Sequence, residues 1–253
     1  MPIVDDPSRP PSGRLLLDDG GERVGRYDHV EVDADVYADV FERAPGVTVE
    51  HASKAVLADL RGIRVGADHD LGRALLAAGG RALGHAHMLS HPNPQGALPP
   101  DPPGLRLTPV DRPAADLVDA FRAAYPPGHV DHHGDPPERS LATLEDHMGG
   151  RTAGPLLPIR GLAVSEQDGR VVGALLAGAF PGEPPLNGPW IIEVFRDPAH
   201  PGTGRALLER ALALAGREGL ATLGLVVTEG NPARRLYERL GFALARTTLV
   251  VEL

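Results

Sequence analysis

The sequence contains no cysteine, and this absence excludes several classes of protein. Disulfide-stabilised folds, thiolate metal sites and cysteine nucleophiles are ruled out, which leaves direct group transfer or chemistry by serine, histidine and carboxylate side chains. Lysine is nearly absent as well, because Lys54 is the only lysine in the chain. A phosphate-binding loop of the P-loop type, which needs a lysine, is therefore not expected, and this weakens the interpretation as a nucleotide hydrolase.

Long apolar runs and excess positive charge are also missing. No apolar run approaches the roughly 20 residues that a membrane helix needs, and residues 1–14 have neither the basic start nor the apolar segment of a secretion signal. The formal net charge of −9 argues against a protein that coats nucleic acid. We therefore expect a soluble, cytoplasmic protein, a monomer or homodimer, with neither a nucleic-acid nor a membrane partner.

The distribution of proline indicates a boundary within the chain. The 253 residues suffice for one large domain or two small ones, and 42% hydrophobic residues can form a core. Prolines concentrate in HPNPQGALPPDPPG, residues 91–104, where they oppose both helix formation and strand pairing. We predict a small N-terminal α/β domain over residues 1–90, a linker over 91–104 and a second domain over 105–253.

Hydrophobic periodicity predicts the elements of both domains. In the first, it indicates helices over residues 33–43 and 68–78 and a strand over 82–89. The second domain has the predicted order β-α-α-β-β-β-α-β-α-β. Its clearest element is a hairpin around Asp168 and Gly169, a pair typical of a two-residue type I′ turn. The fold class is therefore mixed α/β.

One stretch of the second domain joins a predicted strand to a predicted helix through two glycines: RDPAHPGTGRALLERAL, residues 196–212. A helix that starts at such a loop directs unpaired backbone N–H groups and the positive end of its dipole at an anion. Gly202 and Gly204 would let a phosphate approach closely. The pattern lacks the third glycine and the acidic residue of a dinucleotide-binding fingerprint, so by itself it also fits a plain tight turn.

The wider pattern resembles a known family. The succession of a strand, the loop HPGTGRALL, a helix, the strand LGLVV and TEGNPARRLYERLGF resembles the GCN5-related N-acetyltransferase (GNAT) family over about residues 105–253. The resemblance implies a mixed, mostly antiparallel central sheet flanked by helices, and acetyl-coenzyme A as co-substrate without a metal. Family members usually carry arginine or glutamine ahead of the loop, where this sequence has Ala199 or Pro201. The resemblance implies that backbone amides bind the pyrophosphate of the cofactor at Gly202, Thr203, Gly204, Arg205 and Ala206.

The resemblance also implies functions for the strand before this loop. In the family this strand separates from its neighbour, so backbone groups around Val194, Phe195 and Arg196 would bind the pantetheine arm. Family members commonly hold a carboxylate on this strand, here Glu193, that deprotonates the attacking amine. An amine with a pKa of about 10 needs such a base at neutral pH. The alternative is that Glu193 faces solvent on the polar face of the strand.

Two further residues come from NPARRLYERLGF, residues 231–242. The resemblance implies that Asn231 contacts the cofactor arm, and a role as helix cap would also explain this residue. Tyr237 stands where family members carry the tyrosine that protonates the departing thiolate of coenzyme A. Its alternative role is packing against Phe242.

These residues predict an acetyl-coenzyme A-dependent N-acyltransferase. A small-molecule or peptide amine would attack the thioester directly, with Glu193 as general base and Tyr237 as general acid. The competing interpretation is a non-catalytic acyl-coenzyme A-binding or sensing module, in which the acid–base groups are incidental.

The five letters GRALL occur twice, at residues 72–76 and 204–208. The first copy is followed by a helix, glycine and strand order that is similar to the end of the chain. Residues 1–90 are therefore either a degenerate GNAT-like copy that does not bind cofactor, or the match is a coincidence of composition.

A histidine-rich loop, HVDHHGD at residues 129–135, has three open interpretations. It fits a metal cluster, a contact to the acceptor substrate or a solvated loop, and its close spacing disfavours the metal. The histidines concerned are His129, His132 and His133.

Overall fold

The computed structural model describes residues 3–9, 11–32, 35–92, 94–132, 134–180, 182 and 187–253. The chain forms two compact units. The first comprises Met1–His87 together with Arg246–Leu253, and the second comprises Met88–Ala245. The end of the chain therefore belongs to the first unit, whereas the sequence-based boundary assigned all of residues 105–253 to the second.

The first unit is built mainly from strands. β1 (Ile3–Asp5), β2 (Gly13–Leu17), β3 (Arg23–Val32) and β4 (Asp35–Arg43) pair in antiparallel order. β5 (Arg64–Asp68) runs parallel to β4, and the end of β12 (Ala243–Glu252) pairs antiparallel with β5. The helices α1 (Val49–Asp59) and α2 (His69–Ala77) contribute Val56, Leu71 and Leu75 to a core with Phe41 and Leu249. β6 (Arg81–Pro92) follows α2 and enters the second unit at Met88.

The predicted helix over residues 33–43 is wrong, because the described part of this stretch is strand β4. Residues 33 and 34 lie outside the described residues. Ala38 and Phe41 are fully buried whereas Asp39 is exposed, and pairing with β3 outweighs the weak helical pattern. Strands β1 to β3 and helix α1 also went unpredicted, while α2 and β6 confirm the helix over 68–78 and the strand over 82–89.

The second unit confirms the predicted order of its elements. β7 (Leu105–Thr108) is followed by a 3₁₀ turn (Ala114–Leu117), α3 (Val118–Ala124) and α4 (Pro137–Met148). β8 (Gly161–Ser165), β9 (Val171–Phe180) and β10 (Gly188–Arg196) then form antiparallel pairs, with β7 alongside β8. After α5 (Thr203–Arg217) comes β11 (Thr222–Thr228), which is parallel to β10, and α6 (Arg234–Arg239) precedes β12. In the described part of the chain, no helix has both the length and the apolar character needed to cross a membrane.

β9 lies at the centre of the second unit and is covered on both faces. Leu175 and Ala177 belong to the core that includes α5, whereas Ala174 and Leu176 belong to the core that includes α3 and α4. This double burial explains why the strand reads as the continuous apolar run VVGALLAGAF rather than as an alternating one.

The β8–β9 hairpin is confirmed, but its turn is not the predicted two-residue type I′. That turn requires positive φ at both central residues, and positive φ is found at Gly169 (+71°) but not at Asp168. The Ser165 N–H donates to the Arg170 carbonyl at 2.9 Å, and the Gly169 N–H donates to the Ser165 carbonyl at 2.9 Å. The loop therefore spans residues 166–170.

The proline-rich stretch begins as a packed part of the second unit. Pro94 is buried, and a Cβ on Gly216 of α5 would lie 2.7 Å from the Pro94 carbonyl oxygen. Gly216 therefore lets this backbone lie directly on the helix. The start of the sequence-predicted linker thus covers α5.

The two units share one order of elements. β2-β3-β4-α1-β5-α2-β6 and β8-β9-β10-α5-β11-α6-β12 each consist of three antiparallel strands, a helix, a strand parallel to the third, a helix and a strand. The first GRALL lies in α2, which corresponds to α6, whereas the second begins α5. The repeat is therefore one of topology, and the shared letters do not mark equivalent positions.

Candidate active site

A cleft opens in the second unit where β10 and β11 separate. The strands pair at Trp190 with Gly224 and at Ile191 with Leu225, although β10 continues to Arg196 and β11 continues to Thr228. Beyond Ile191, backbone groups of β10 are left without a partner from β11. A cavity of about 1080 Å³ lies at this opening, lined by both strands, α4 and the segments around α3 and α6.

A β-bulge decides which side of the sheet Glu193 faces. In the pairing of β10 with β9, Ile191 lies opposite Ala177 and Glu193 lies opposite Leu176, so Ile192 is the extra residue. Ile191 therefore packs in the core with α5, whereas Glu193 shares the face of Leu176, towards α3 and α4. Without the bulge, the alternation of a strand would place Glu193 on the α5 side.

Glu193 is an enclosed carboxylate with specific partners. Its side chain is 18% exposed, and the Tyr125 hydroxyl donates a hydrogen bond to its Oε1 at 2.6 Å. Burial raises the pKa of Glu193 to about 7, and the negative charge of Asp131 adds to the rise, while hydrogen bonds from Tyr125 and from the Val194 N–H oppose it. A carboxylate with this pKa can remove a proton and release it again near neutral pH.

Two other groups complete the surroundings of Glu193. Tyr125 ends α3, and burial followed by the charge of Glu193 raises the pKa of its phenol well above the ordinary value, so Tyr125 stays a hydrogen-bond donor. On α4, the His147 Nε2 lies 4.0 Å from the Glu193 Oε2. Both partners were missed by the sequence analysis, because neither belongs to a local motif that points at Glu193.

Tyr237 lines the same cavity as Glu193. It is 7% exposed and packs edge-on against Phe242 with 6.2 Å between ring centroids, so its packing role is real. Burial, followed by the charges of Glu193 and Asp131, raises the pKa of the Tyr237 phenol far above its usual range. The phenol is therefore fully protonated at neutral pH and is available as a proton donor.

Asn231 connects two walls of the cavity. Its Oδ1 accepts a hydrogen bond from the Ala233 N–H at 2.8 Å, and its Nδ2 donates to the Asp131 Oδ2 at 2.7 Å. Because Ala233 is the residue that caps α6, Asn231 stabilises the turn before the helix rather than occupying the cap position itself. The amide thereby holds the loop that carries Asp131 against the approach to α6.

The glycine loop presents an open helix start. Gly202 caps α5 with φ +88°, and its carbonyl accepts the first helical hydrogen bond from Ala206. The N–H groups of the intervening residues, Thr203, Gly204 and Arg205, therefore have no partner within the helix. The Thr203 hydroxyl turns away, donating to the His200 carbonyl at 2.8 Å, and a Cβ on Gly204 would meet only the Arg196 Cδ, at 3.9 Å.

The corresponding helix in the first unit is closed to an anion. The Thr48 side chain accepts from the His51 N–H at the start of α1, and Glu50 adds negative charge to that first turn. α5 has neither a capping side chain nor an acidic residue in its first turn. Of these two equivalent helix starts, the one beside Gly202 suits a phosphate.

The cleft is also absent at the corresponding place in the first unit. β4 contains an irregularity after Ala38, with Val40 at φ +49°, and its pairing with β5 resumes at Phe41. β10 does not resume its pairing with β11 after the bulge. A bulge alone therefore does not open the sheet, and the separation of the strands belongs to the second unit.

The structure brings together six of the eleven residues that the sequence analysis selected. Those that line the cavity are Glu193, Val194, Phe195, Arg196, Asn231 and Tyr237. The loop residues 202–206 are not in the cavity wall and lie at the helix start, next to Arg196. The selection therefore divides into a cavity and an open helix start next to Arg196.

The histidine-rich loop also lines the cavity. The His129 Nδ1 accepts from the Asp131 N–H at 3.1 Å, and the His132 Nδ1 lies 2.8 Å from the Tyr125 carbonyl oxygen. In the described part of this loop, both ring nitrogens contact backbone groups and so stabilise the conformation of the loop. His133 lies outside the described residues. Because His129, Asp131 and His132 line the cavity, the loop forms part of its wall.

Comparison with solved structures gives the same architecture over nearly the whole chain. A GCN5-related N-acetyltransferase from Sphaerobacter thermophilus is 18% identical, with a TM-score of 0.62 over 95% of this chain and 79% of its own. A tandem GNAT protein from the clavulanic acid biosynthesis pathway is 18% identical, with a TM-score of 0.54 over 96% and 83%. A GNAT-family acetyltransferase from Colwellia psychrerythraea is 13% identical, with a TM-score of 0.55 over 95% and 85%. At these identities the likeness shows the fold, and it includes the first unit.

Sequence comparison supplies the family. No curated protein matches the chain. The model described as the Acetyltransferase (GNAT) family matches residues 116–242, which contain the cleft, the open helix start, Glu193 and Tyr237. Members of this family use acetyl-coenzyme A as co-substrate. Since the match covers half of the chain, the protein belongs to the GNAT family of acetyltransferases.

Proposed function

We propose that the second unit transfers an acetyl group from acetyl-coenzyme A to a primary amine by direct attack. The observation that carries this proposal is that Glu193 and Tyr237 line one cavity, at the point where β10 separates from β11. One group is a base that titrates near neutral pH and the other is a protonated acid, which is the pair that aminolysis of a thioester needs.

The helix start beside the cavity fits the anionic part of the co-substrate. Three backbone N–H groups, an unobstructed Gly204 and the nearby Arg196 provide donors and positive charge for a pyrophosphate. The unpaired backbone of β10 beyond Ile191 offers hydrogen bonds to the amide groups of the pantetheine arm. These contacts would extend the arm along β10 and bring the thioester towards Glu193.

The reaction then follows from the groups around the thioester. Glu193 takes a proton from the ammonium group of the acceptor, and the freed lone pair attacks the thioester carbonyl carbon. As the C–N bond forms and the C–S bond breaks, Tyr237 donates its proton to sulfur. The Tyr237 phenolate then takes the excess proton from nitrogen, so that the amide and the free thiol are the products.

The acceptor binds against the part of the cavity wall that the histidine-rich loop forms. His129, Asp131 and the end of α3 line this part of the cavity, and Asp131 carries a negative charge suited to a cationic amine. A small-molecule amine and the N-terminus of a peptide both agree with a cavity that opens at the surface.

Calorimetry and thiol release test the proposal. We expect the purified chain to bind acetyl-coenzyme A and to release coenzyme A thiol with at least one member of a panel of polyamines, amino acids, aminoglycosides and peptides with free N-termini. Binding without transfer to any acceptor would favour the alternative, an acyl-coenzyme A sensor. Absence of binding would refute both.

A further inference from the structure

His147 lines the cavity beside the Glu193 carboxylate. It lies in the last turn of α4 with a side chain 13% exposed. Its Nε2 is 4.0 Å from the Glu193 Oε2, which is longer than a hydrogen bond but within the range of an ion pair. Its Nδ1 lies 2.7 Å from the hydroxyl of Thr152, which is an exposed residue. The three side chains therefore form a line from the cavity to the surface.

The proposed reaction releases one proton for each turnover. An ammonium acceptor and a thioester give an amide, a neutral thiol and a proton, and this proton remains on Glu193 after the step. Glu193 must lose the proton before the next acceptor can react. Its side chain is only 18% exposed, so the groups that face it can carry the proton away.

The charged and titratable groups around Glu193 come from four elements. Tyr125 at the end of α3 and Tyr237 on α6 hold their own protons, because burial and the charge of Glu193 raise the pKa of both phenols. The Asp131 carboxylate, from the loop, accepts the Asn231 amide. His147 on α4 lies within 4.0 Å of the carboxylate, and burial lowers its pKa, so that its imidazole is neutral and able to accept a proton.

His147 has a separate electrostatic environment on its solvent side. Asp146 on the same helix partly opposes the effect of burial on the pKa of His147. Asp146 is itself paired with Arg151, whose Nε donates to its Oδ1 at 2.5 Å. The carboxylate that raises the pKa of His147 is therefore already shared with a guanidinium group.

We propose that His147 acts through Glu193 as a proton relay, carrying the proton taken from the acceptor amine to Thr152 and the solvent. The O–H bond of protonated Glu193 breaks as an N–H bond forms at Nε2, and the proton on Nδ1 passes to water at the Thr152 hydroxyl. No electrons are transferred, and exchange with water restores the original tautomer. This inference rests on the proposed function, since it concerns the same carboxylate.

The kinetic test compares His147→Gln with wild type. Glutamine keeps hydrogen-bonding groups of similar reach but cannot carry a proton. We expect kcat to fall by about 10-fold or more in dilute buffer, with the Kd for acetyl-coenzyme A unchanged. Added imidazole should restore the rate, and kcat should now depend on buffer concentration. His51→Gln, a change at an exposed position in the first unit, should match wild type in all of these measurements.

A spectroscopic test needs no acceptor. In protein labelled at histidine, the ring resonance of His147 should show an inflection near pH 7 that reports Glu193, in addition to its own titration at lower pH. Glu193→Gln should remove the upper inflection. Identical titration curves for His147 in wild type and Glu193→Gln would overturn the relay, whether or not an acceptor is known.

The two proposals fail in different ways. If no amine is acetylated, the proposed function fails, and the resonance of His147 still decides whether the imidazole is coupled to Glu193. If Glu193→Gln slows turnover but His147→Gln keeps the wild-type rate and the wild-type insensitivity to buffer, the enzyme assignment stands. The relay is then refuted.

Discussion

Valine in place of Gly204 should weaken the binding of acetyl-coenzyme A while leaving the fold intact. A Cβ at this position would have a single neighbour within reach, the Arg196 Cδ at 3.9 Å, so the space in front of the helix start is open. Branched methyl groups would fill that space and keep a phosphate away from the unpaired N–H groups. Helix propensity does not oppose the change, because valine is slightly favoured over glycine inside a helix.

The size of the effect follows from the hydrogen bonds that would be lost. A hydrogen bond to a charged group contributes about 1.5–3 kcal/mol. Losing the equivalent of one or two of these should raise the Kd by about 10- to 10⁴-fold, at 1.4 kcal/mol for each factor of ten. Gly204→Ala, which adds one methyl group, should have an intermediate effect.

The other GRALL copy provides a matched control. A Cβ on Gly72 would lie 2.6 Å from the Leu249 Cβ, inside the core of the first unit. Gly72→Val should therefore cost about 1–3 kcal/mol of folding free energy through overpacking. The melting temperature should fall by roughly 2–12 °C, at about 2–4 °C per kcal/mol for a chain of this size. The Kd of the folded fraction should not change.

Calorimetry with acetyl-coenzyme A and thermal unfolding, applied to both variants, separate the two effects. A wild-type Kd for Gly204→Val would remove the helix start from the binding site. A loss of affinity in Gly72→Val, measured where that variant is folded, would mean that the anion site had been assigned to the wrong copy of the motif.

Three further changes test the remaining assignments. Tyr237→Phe keeps the packing against Phe242 but removes the proton donor, so kcat should fall by about 10²- to 10⁴-fold with little change in cofactor affinity. A near wild-type rate in single-turnover kinetics would show that Tyr237 serves only in packing. Because the base must be ionised and burial raises the pKa of Glu193 to about 7, wild-type kcat/KM should rise with pH through that value. Glu193→Gln should lose this inflection and recover partly at high pH, where the acceptor amine is unprotonated; an unchanged pH profile would exclude Glu193 as the base. A chain beginning at Pro103 lacks residues 88–102 of the second unit and leaves residues 246–253 without their partner strand β5. Circular dichroism and thermal melts should therefore show an unstable or aggregated protein. A cooperative melt near that of the full chain would mean that the second unit folds without these residues.

Local signals in the sequence were sufficient for the outline of the second unit. Each of its elements has a pattern of its own, such as the apolar run of β9 or the glycines before α5, and strands β7 to β11 lie side by side in the sheet in chain order. The first unit was harder, because β4 carries an acidic residue, Asp39, within a short alternating stretch that also fits a helix. Pairing with β3 and β5, which single-sequence patterns do not report, decides that it is a strand.

The boundary between the units was also decided by tertiary structure. Proline marks a real change in the chain at residues 91–104, yet Pro94 packs on α5, and residues 246–253 belong to the first unit. A proline-rich stretch indicates only where helices and strands are interrupted locally. Which sheet a strand joins depends on edges formed by residues far away in sequence, and local composition carries no information about them.

The sequence by itself determined the residue types of the site and the helix start beside it, because the glycine loop, Glu193 and Tyr237 each lie in a short recognisable pattern. Only the tertiary structure decided what Glu193 can do. The bulge at Ile192 turns its side chain towards α3 and α4, and there it meets Tyr125 and His147, which are 68 and 46 positions away in the chain. The pKa of a carboxylate depends on how completely it is buried and on which charges and donors surround it, and these are properties of the packed elements rather than of any one segment.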